Sequence, residues 1–153
     1  MRRFFFIAIG TMVLTVSQAA RAEAPALAEG SFFATAPPVI VDVQNAGPNT
    51  ILTQTNTFAL TGDLNGTYAN EQRAVIRPDG EFVQNGFGTF TGTVNGVAGT
   101  LDFREVSSGN LSTTFDGHVV TTAGSGGLAN VRCNGTIEGD AVSGTGTYAV
   151  RCH

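Results

Sequence analysis

The sequence predicts an all-β domain of eight strands arranged as a sandwich or a barrel. Glycine and β-branched residues are spread throughout, so no long stretch keeps apolar residues at helical spacing without an interrupting glycine. Turn signals such as Pro78-Asp79-Gly80 and Asn95-Gly96 recur along the chain, with short segments rich in β-branched and aromatic residues between them. The length of 153 residues fits one domain with a hydrophobic core.

The turn signals place the strands. The segment 23–38 contains three prolines and is predicted to be an extended N-terminal arm, with the domain itself covering residues 39–153. The predicted strands are 39–44, 51–61, 67–77, 81–94, 98–106, 111–122, 130–138 and 145–152.

Alternation along two of these strands predicts which side chains share a face. In residues 81–94, one face combines several glycines with Phe82 and Phe90. Glycine relieves crowding where a sheet bends, so this strand is expected to be strongly curved. In the next strand, Glu105 shares a face with Leu101 and Phe103, and it is therefore the charged residue expected to point inward.

The N-terminus has the pattern of a secretory signal peptide. Arg2 and Arg3 precede an apolar run at 4–16, and Ala20-Arg21-Ala22 is a small-x-small cleavage site. A membrane span is the alternative, but the run is shorter than the roughly 20 apolar residues that a bilayer requires. We therefore predict cleavage after Ala22 and a secreted or periplasmic protein without a membrane anchor.

The charge balance excludes several classes of function. The chain has eight basic residues, all of them arginine, and twelve acidic residues, for a net charge of −4. The absence of lysine excludes the P-loop lysine and Schiff-base chemistry. Removal of residues 1–22 leaves five arginines against twelve acids, and a surface of that sign disfavours binding to nucleic acid or anionic lipid.

Two cysteines, Cys133 and Cys152, are predicted to form a disulfide, which agrees with export to an oxidising compartment. If they face each other, Ile137 lies opposite Tyr148 as a favourable cross-strand pair, and the connecting loop must be wide, around residues 140–144. The alternative is a metal site that adds the adjacent histidine. That site lacks a fourth ligand and the usual C-x-x-C spacing, so we predict no metal and no cofactor.

Familiar catalytic constellations are absent from the sequence. It contains no Gly-x-Ser-x-Gly elbow and no His-Glu-x-x-His motif. His118 and Asp116 are two residues apart on one strand and do not pair closely, so a solvated histidine is favoured over a general base. Glu71 and Arg73 share one face and could line a cavity, although an exposed ion pair is favoured.

Four glycine-rich segments form a recognisable pattern: Thr61-Gly-Asp-Leu-Asn-Gly-Thr67, Arg77-Pro-Asp-Gly80, Phe90-Thr-Gly-Thr-Val-Asn-Gly-Val-Ala-Gly-Thr100 and Gly124-Ser-Gly-Gly-Leu-Ala-Asn-Val-Arg132 with Gly135. Through these segments the sequence resembles bacterial proteins of the DUF3224 family. The resemblance implies an eight-stranded antiparallel closed barrel with a central cavity, similar to allene oxide cyclase and the calycins. Family members usually carry an acidic residue just before the Phe90-Thr-Gly-Thr segment, where this chain has Gly88 and Thr89, so the resemblance assigns no catalytic residue.

Two functional hypotheses of different classes follow from these features, and we also consider a third. The first is a module that binds a small apolar molecule inside the barrel. The second is a cofactor-free cyclase or isomerase acting on an apolar substrate, with Glu105 as acid or base. The third is a structural or partner-binding domain, and the oligomeric state is not predicted. The residues expected to line the interior are Phe82, Phe90, Leu101, Phe103 and Phe115.

Overall fold

The computed structural model describes residues 26–153, and its regular elements are all β-strands. The strands are β1 (Ala26–Ala34), β2 (Val39–Ala46), β3 (Asn49–Gly62), β4 (Leu64–Ile76), β5 (Glu81–Val94), β6 (Val97–Asn110), β7 (Thr114–Gly126), β8 (Cys133–Asp140) and β9 (Thr145–Cys152). The described residues form no helix that is long and apolar enough to cross a membrane. The predicted all-β class is confirmed.

The sheet closes into an antiparallel barrel. Strands β3 to β9 pair with their neighbours in chain order, and β1 joins the two ends by pairing with β9 on one side and with β3 on the other. Eight strands therefore make the barrel, as predicted. The ninth, β2, pairs only with the first half of β3 and lies outside the closed ring.

The N-terminal strands differ from the prediction. Part of the segment 23–38 that was predicted to be an arm forms β1, which buries Ala28 and Phe32 and closes the barrel. The predicted strand at 39–44 is β2, whose residues are all exposed. Prolines 37 and 38 cannot donate hydrogen bonds to a strand ladder, so they interrupt this edge without preventing the residues before them from pairing. The predicted signal peptide lies outside the described residues.

One end of the barrel is solidly packed. Leu128, in the connection between β7 and β8, is 1% exposed and covers this end. Its approach requires glycine at position 124, because a Cβ atom there would overlap the Leu128 carbonyl oxygen. Burial of apolar side chains such as Leu128 supplies much of the driving force for folding. The largest fully buried side chains are Phe90, Leu101, Leu128, Val150 and Cys133.

The last hairpin has the register that the cysteines predicted. Cys133 and Cys152 lie opposite each other and form a disulfide, and Ile137 lies opposite Tyr148. A four-residue loop, 141–144, joins the two strands, as the predicted wide connection requires. Backbone N–H donors from this loop hold the pKa of Asp140 below its usual value. The disulfide indicates an oxidising environment.

A buried hydroxyl ties β9 to the turn between β3 and β4. The Tyr148 hydroxyl accepts a hydrogen bond from the Leu64 N–H at 2.8 Å and lies 3.0 Å from the carbonyl oxygen of Thr61, to which it can donate. Burial raises the pKa of Tyr148. Gly62, the last residue of β3, has a φ of 106°, which favours glycine. Backbone conformation and a distant side chain therefore together fix where β3 ends.

Candidate functional site

The end of the barrel opposite Leu128 contains a cavity of about 670 Å³. It extends to the connection at 35–38 and to the loop at 141–144, and it reaches the surface beside the exposed side chains of Leu111 and Val142. Aromatic and aliphatic side chains form most of its wall, among them Phe32, Phe58, Phe82, Phe103, Phe115 and Ile137.

The five residues predicted to line the interior divide between the two ends. Phe82, Phe103 and Phe115 line the cavity, whereas Phe90 and Leu101 lie in the packed end and do not reach it. Phe90 and Leu101 are directly opposite each other on β5 and β6, and both are 0% exposed. Alternation predicted the correct face for these residues, but it carries no information about depth along the barrel.

Glu105 points into the cavity, as predicted, and is 4% exposed. Strand β5 lies between β6 and β4, and the β5 residue opposite Glu105 is Gly86. No side chain therefore separates Glu105 from β4. A Cβ atom at Gly86 would lie 2.6 Å from the Glu71 carbonyl oxygen and 2.9 Å from Glu105 Oε1. The glycine therefore lets the carboxylate reach across β5 to the side chains of β4.

Three donors from β4 meet the Glu105 carboxylate. Asn70 Nδ2 lies 2.7 Å and Gln72 Nε2 lies 2.6 Å from Oε1, and the Tyr68 hydroxyl donates to Oε2 at 3.1 Å. These donors occupy alternate positions of one strand, and their side chains share its inward face. The carboxylate is therefore held from one side by a strand that is not adjacent to its own.

The carboxylate also orients a second layer of amides. An ionised carboxylate only accepts hydrogen bonds, so Asn70 and Gln72 turn their NH₂ groups toward Glu105 and leave their oxygens free to accept. Asn56 Nδ2 donates to Gln72 Oε1 at 2.9 Å and to Asn70 Oδ1 at 3.2 Å, and Gln54 Nε2 lies 3.4 Å from Gln72 Oε1. Among residues 26–153 no buried polar side-chain atom lacks a partner.

Residues 28–151 match a family whose description is a protein of unknown function, DUF3224. The chain belongs to the DUF3224 family. Its structure is similar to the crystal structure of a DUF3224 protein of unknown function from Shewanella oneidensis MR-1, with a TM-score of 0.69 at 14% sequence identity. The similarity covers 84% of this chain and 96% of the other, and it shows the fold alone. No curated protein matches this chain.

The other sequence candidates in this DUF3224 protein lie outside the cavity. Glu71, Arg73 and His118 are exposed on the outer face of the barrel. The residues that sequence reasoning missed are the amides and the tyrosine around Glu105. Their signal was present as polar side chains at alternate positions 68, 70 and 72, which is the spacing of one strand face.

Burial dominates the electrostatics of the site. It raises the pKa of Glu105, and the hydrogen bonds from Gln72, Tyr68 and Asn70 oppose this by stabilising the ionised form. Burial and the nearby charge of Glu105 raise the pKa of Tyr68 as well. Within the described chain, Glu105 is the one charged residue in the cavity wall, and all five arginines are exposed.

The raised pKa makes the stability of this DUF3224 protein depend on pH through Glu105. The folded protein retains the Glu105 proton at pH values where the unfolded chain has lost it, so this stabilising contribution is present at acid pH and is lost as pH rises through the folded-state pKa. Glu105→Gln removes it. In urea unfolding from pH 4 to pH 8, we expect the wild type to lose stability relative to E105Q as pH rises. The loss is about 1.4 kcal/mol for each pH unit by which the folded-state pKa exceeds the unfolded-state pKa.

Glu71→Gln is the matched control for this titration. It removes the same charge from an exposed residue of β4, beside Gln72 but on the outer face. Its stability profile between pH 4 and pH 8 is expected to run parallel to that of the wild type. Parallel profiles for E105Q and the wild type would contradict the raised pKa.

Proposed function

We propose that this DUF3224 barrel binds a small, largely apolar molecule in its cavity. The observation that carries the proposal is an interior space of about 670 Å³ that has mainly apolar walls and reaches the surface. Ligand sites typically have volumes of about 300–1,000 Å³, with apolar walls and a few placed polar groups. Here the polar groups are Glu105 and the amides around it.

The contrast between the two ends of the barrel supports binding over a purely structural role. At the packed end, Phe90, Leu101 and Leu128 fill the interior, as protein cores are normally filled. The other end is also lined by large side chains, yet it contains a cavity that opens to the surface. A barrel that served only as a scaffold would gain stability by filling this space, since cavities are destabilising.

The proposed place of action is outside the cytoplasm, in the periplasm or the extracellular medium. The disulfide between Cys133 and Cys152 supports it, because structural disulfides persist in oxidising compartments. The predicted signal peptide with cleavage after Ala22 supports it independently.

Val119→Phe tests whether the cavity binds an apolar molecule. Val119 lies opposite Glu105, is 7% exposed and lines the cavity, so a phenyl ring there should occupy space that a ligand needs. Titration with the neutral apolar dye Nile red should raise its fluorescence on binding to the wild type. We expect V119F to weaken this binding by about tenfold or more, or about 1.4 kcal/mol.

Val120→Phe is the control, because the neighbouring residue points outward and is 42% exposed. Its affinity for Nile red should stay within about threefold of the wild-type value, which is under 1 kcal/mol. If V119F and V120F bind the dye alike, or if the wild type binds no small apolar probe at all, the proposed function is wrong.

A second candidate is a cofactor-free cyclase or isomerase using the same cavity. It is favoured by the hydrogen bond between Tyr68 and Glu105, because two groups that can exchange a proton face the same apolar space. Glu105→Gln distinguishes the candidates. It should leave retention of a neutral apolar ligand intact under both and abolish turnover only if the barrel is an enzyme.

A further inference from the structure

We propose that the ligand is an amine, a small apolar molecule whose protonated nitrogen pairs with Glu105. This inference rests on the proposed function and names the ligand class for the same cavity. It separates three kinds of apolar molecule that would otherwise fit equally well: those ending in an ammonium, in a neutral hydroxyl or in a carboxylate.

The charge of the cavity is the first argument. In the described chain, Glu105 is the one charged residue that lines it, and the three groups that meet the carboxylate are neutral. Arg104, the arginine next to Glu105 in the chain, is on the opposite face of β6 and exposed. A buried charge without an opposite partner is costly, so an ammonium in the cavity would be attracted and a carboxylate repelled.

The unequal use of the two carboxylate oxygens is the second argument. Glu105 Oε1 accepts two short hydrogen bonds from the amides, whereas Oε2 accepts one, from Tyr68 at 3.1 Å. A carboxylate offers about four acceptor positions. The remaining capacity therefore suits a ligand that donates, and an ammonium has up to three N–H donors.

The aromatic wall is the third argument. Five rings form a connected series from Phe115 through Phe32, Phe58 and Tyr68 to Phe103, with successive centroids 5.7 to 6.5 Å apart. All five line the cavity that contains Glu105. Faces of aromatic rings attract cations, so the walls that accommodate an apolar body also favour an ammonium.

The outer charge of the barrel agrees with these internal features. Residues 26–153 contain five arginines, no lysine and eleven acidic residues, which is a formal net charge of −6. Such a surface attracts cations and repels anions at moderate salt. The net charge of the barrel and the charge inside the cavity therefore favour the same sign of ligand.

A matched ligand series tests the proposal. Calorimetric titration at pH 7 uses 2-naphthylmethylamine, 2-naphthalenemethanol and 2-naphthoic acid, which share one apolar body and differ at the polar end. We expect the wild type to bind the amine at least about tenfold more tightly than the acid, with the alcohol between them. In Glu105→Gln, the amine should weaken by about tenfold or more and the alcohol by less than about threefold. Glu71→Gln should retain the wild-type ranking.

The outcomes separate this inference from the proposed function. If the acid binds as tightly as the amine, or if E105Q leaves the amine affinity unchanged, the amine assignment is overturned and the apolar cavity stands. If Nile red binds and the amine does not, the assignment is likewise overturned. If neither Nile red nor any member of the series binds, the proposed function fails too. The wild-type ranking needs no variant, so the test holds even if E105Q does not fold.

Discussion

Replacing Phe90 with alanine is expected to lower the free energy of unfolding by about 3–5 kcal/mol. The ring is 0% exposed in the packed end, between Tyr68 on β4 and Leu101 on β6. Part of the loss is the transfer of apolar surface, and part is the cavity that remains. Gly92 packs directly against the ring, because a Cβ atom on it would lie 2.9 Å from Phe90. As a glycine it has no side chain that could fill the space left by the ring. Urea unfolding monitored by circular dichroism measures the change.

Phe87→Ala is the matched control for this prediction. It removes the same ring from the same strand, but on the outer face, where Phe87 is 63% exposed. We expect a loss of under about 1 kcal/mol, because little apolar surface is buried there and no cavity forms. If F87A and F90A were equally destabilising, the distinction between the inner and outer faces of β5 would be wrong.

Alternation allowed the faces of β5 and β6 to be predicted from the sequence. It placed Phe82 and Phe90 on one side of β5, and it placed Glu105 inward on β6. These assignments depend only on a two-residue repeat, which the chain keeps along β5 and over residues 101–108 of β6. Depth along the barrel depends on register and strand tilt across all eight strands, so the separation of Phe90 from the cavity could not be predicted.

The turns show where local signals succeed and where they fail. Asn95 and Gly96, with φ of 50° and 83°, form the tight turn that their sequence predicts. Asn65-Gly66 and Asn85-Gly86 have the same composition and lie inside β4 and β5. Their glycines are required by close neighbours on other strands, a reason that the local sequence does not contain.

The candidate site could be predicted only in part for a similar reason. A two-residue repeat places Tyr68, Asn70 and Gln72 on one face of β4, and another places Glu105 on the inner face of β6. Their meeting depends on Gly86, because only a strand without a side chain at that level lets groups two strands apart touch. The contact therefore depends on residues of three strands, and the sequence of any one strand does not predict it.

Reduction of the disulfide is expected to lower the free energy of unfolding by about 3 kcal/mol, a large share of the 5–15 kcal/mol typical of a domain. Cys133 and Cys152 are 19 residues apart in sequence, and their bond restricts the unfolded chain. The folded register does not depend on the bond, because Arg132 and His153 exchange two backbone hydrogen bonds beyond it at 2.8 and 2.9 Å. The reduced protein should therefore keep the same barrel with less stability. Urea unfolding with and without dithiothreitol measures the difference.

The double variant Cys133→Ala/Cys152→Ala separates loss of the cross-link from other effects of the reductant. Its stability should be lower than that of the oxidised wild type and should not change when dithiothreitol is added. Nile red binding should persist in the folded variant, because neither cysteine lines the cavity. If dithiothreitol destabilised the double variant as much as the wild type, the loss could not be assigned to the disulfide. If the wild type lost nothing on reduction, its stability would come from the barrel's packing and strand pairing without the cross-link.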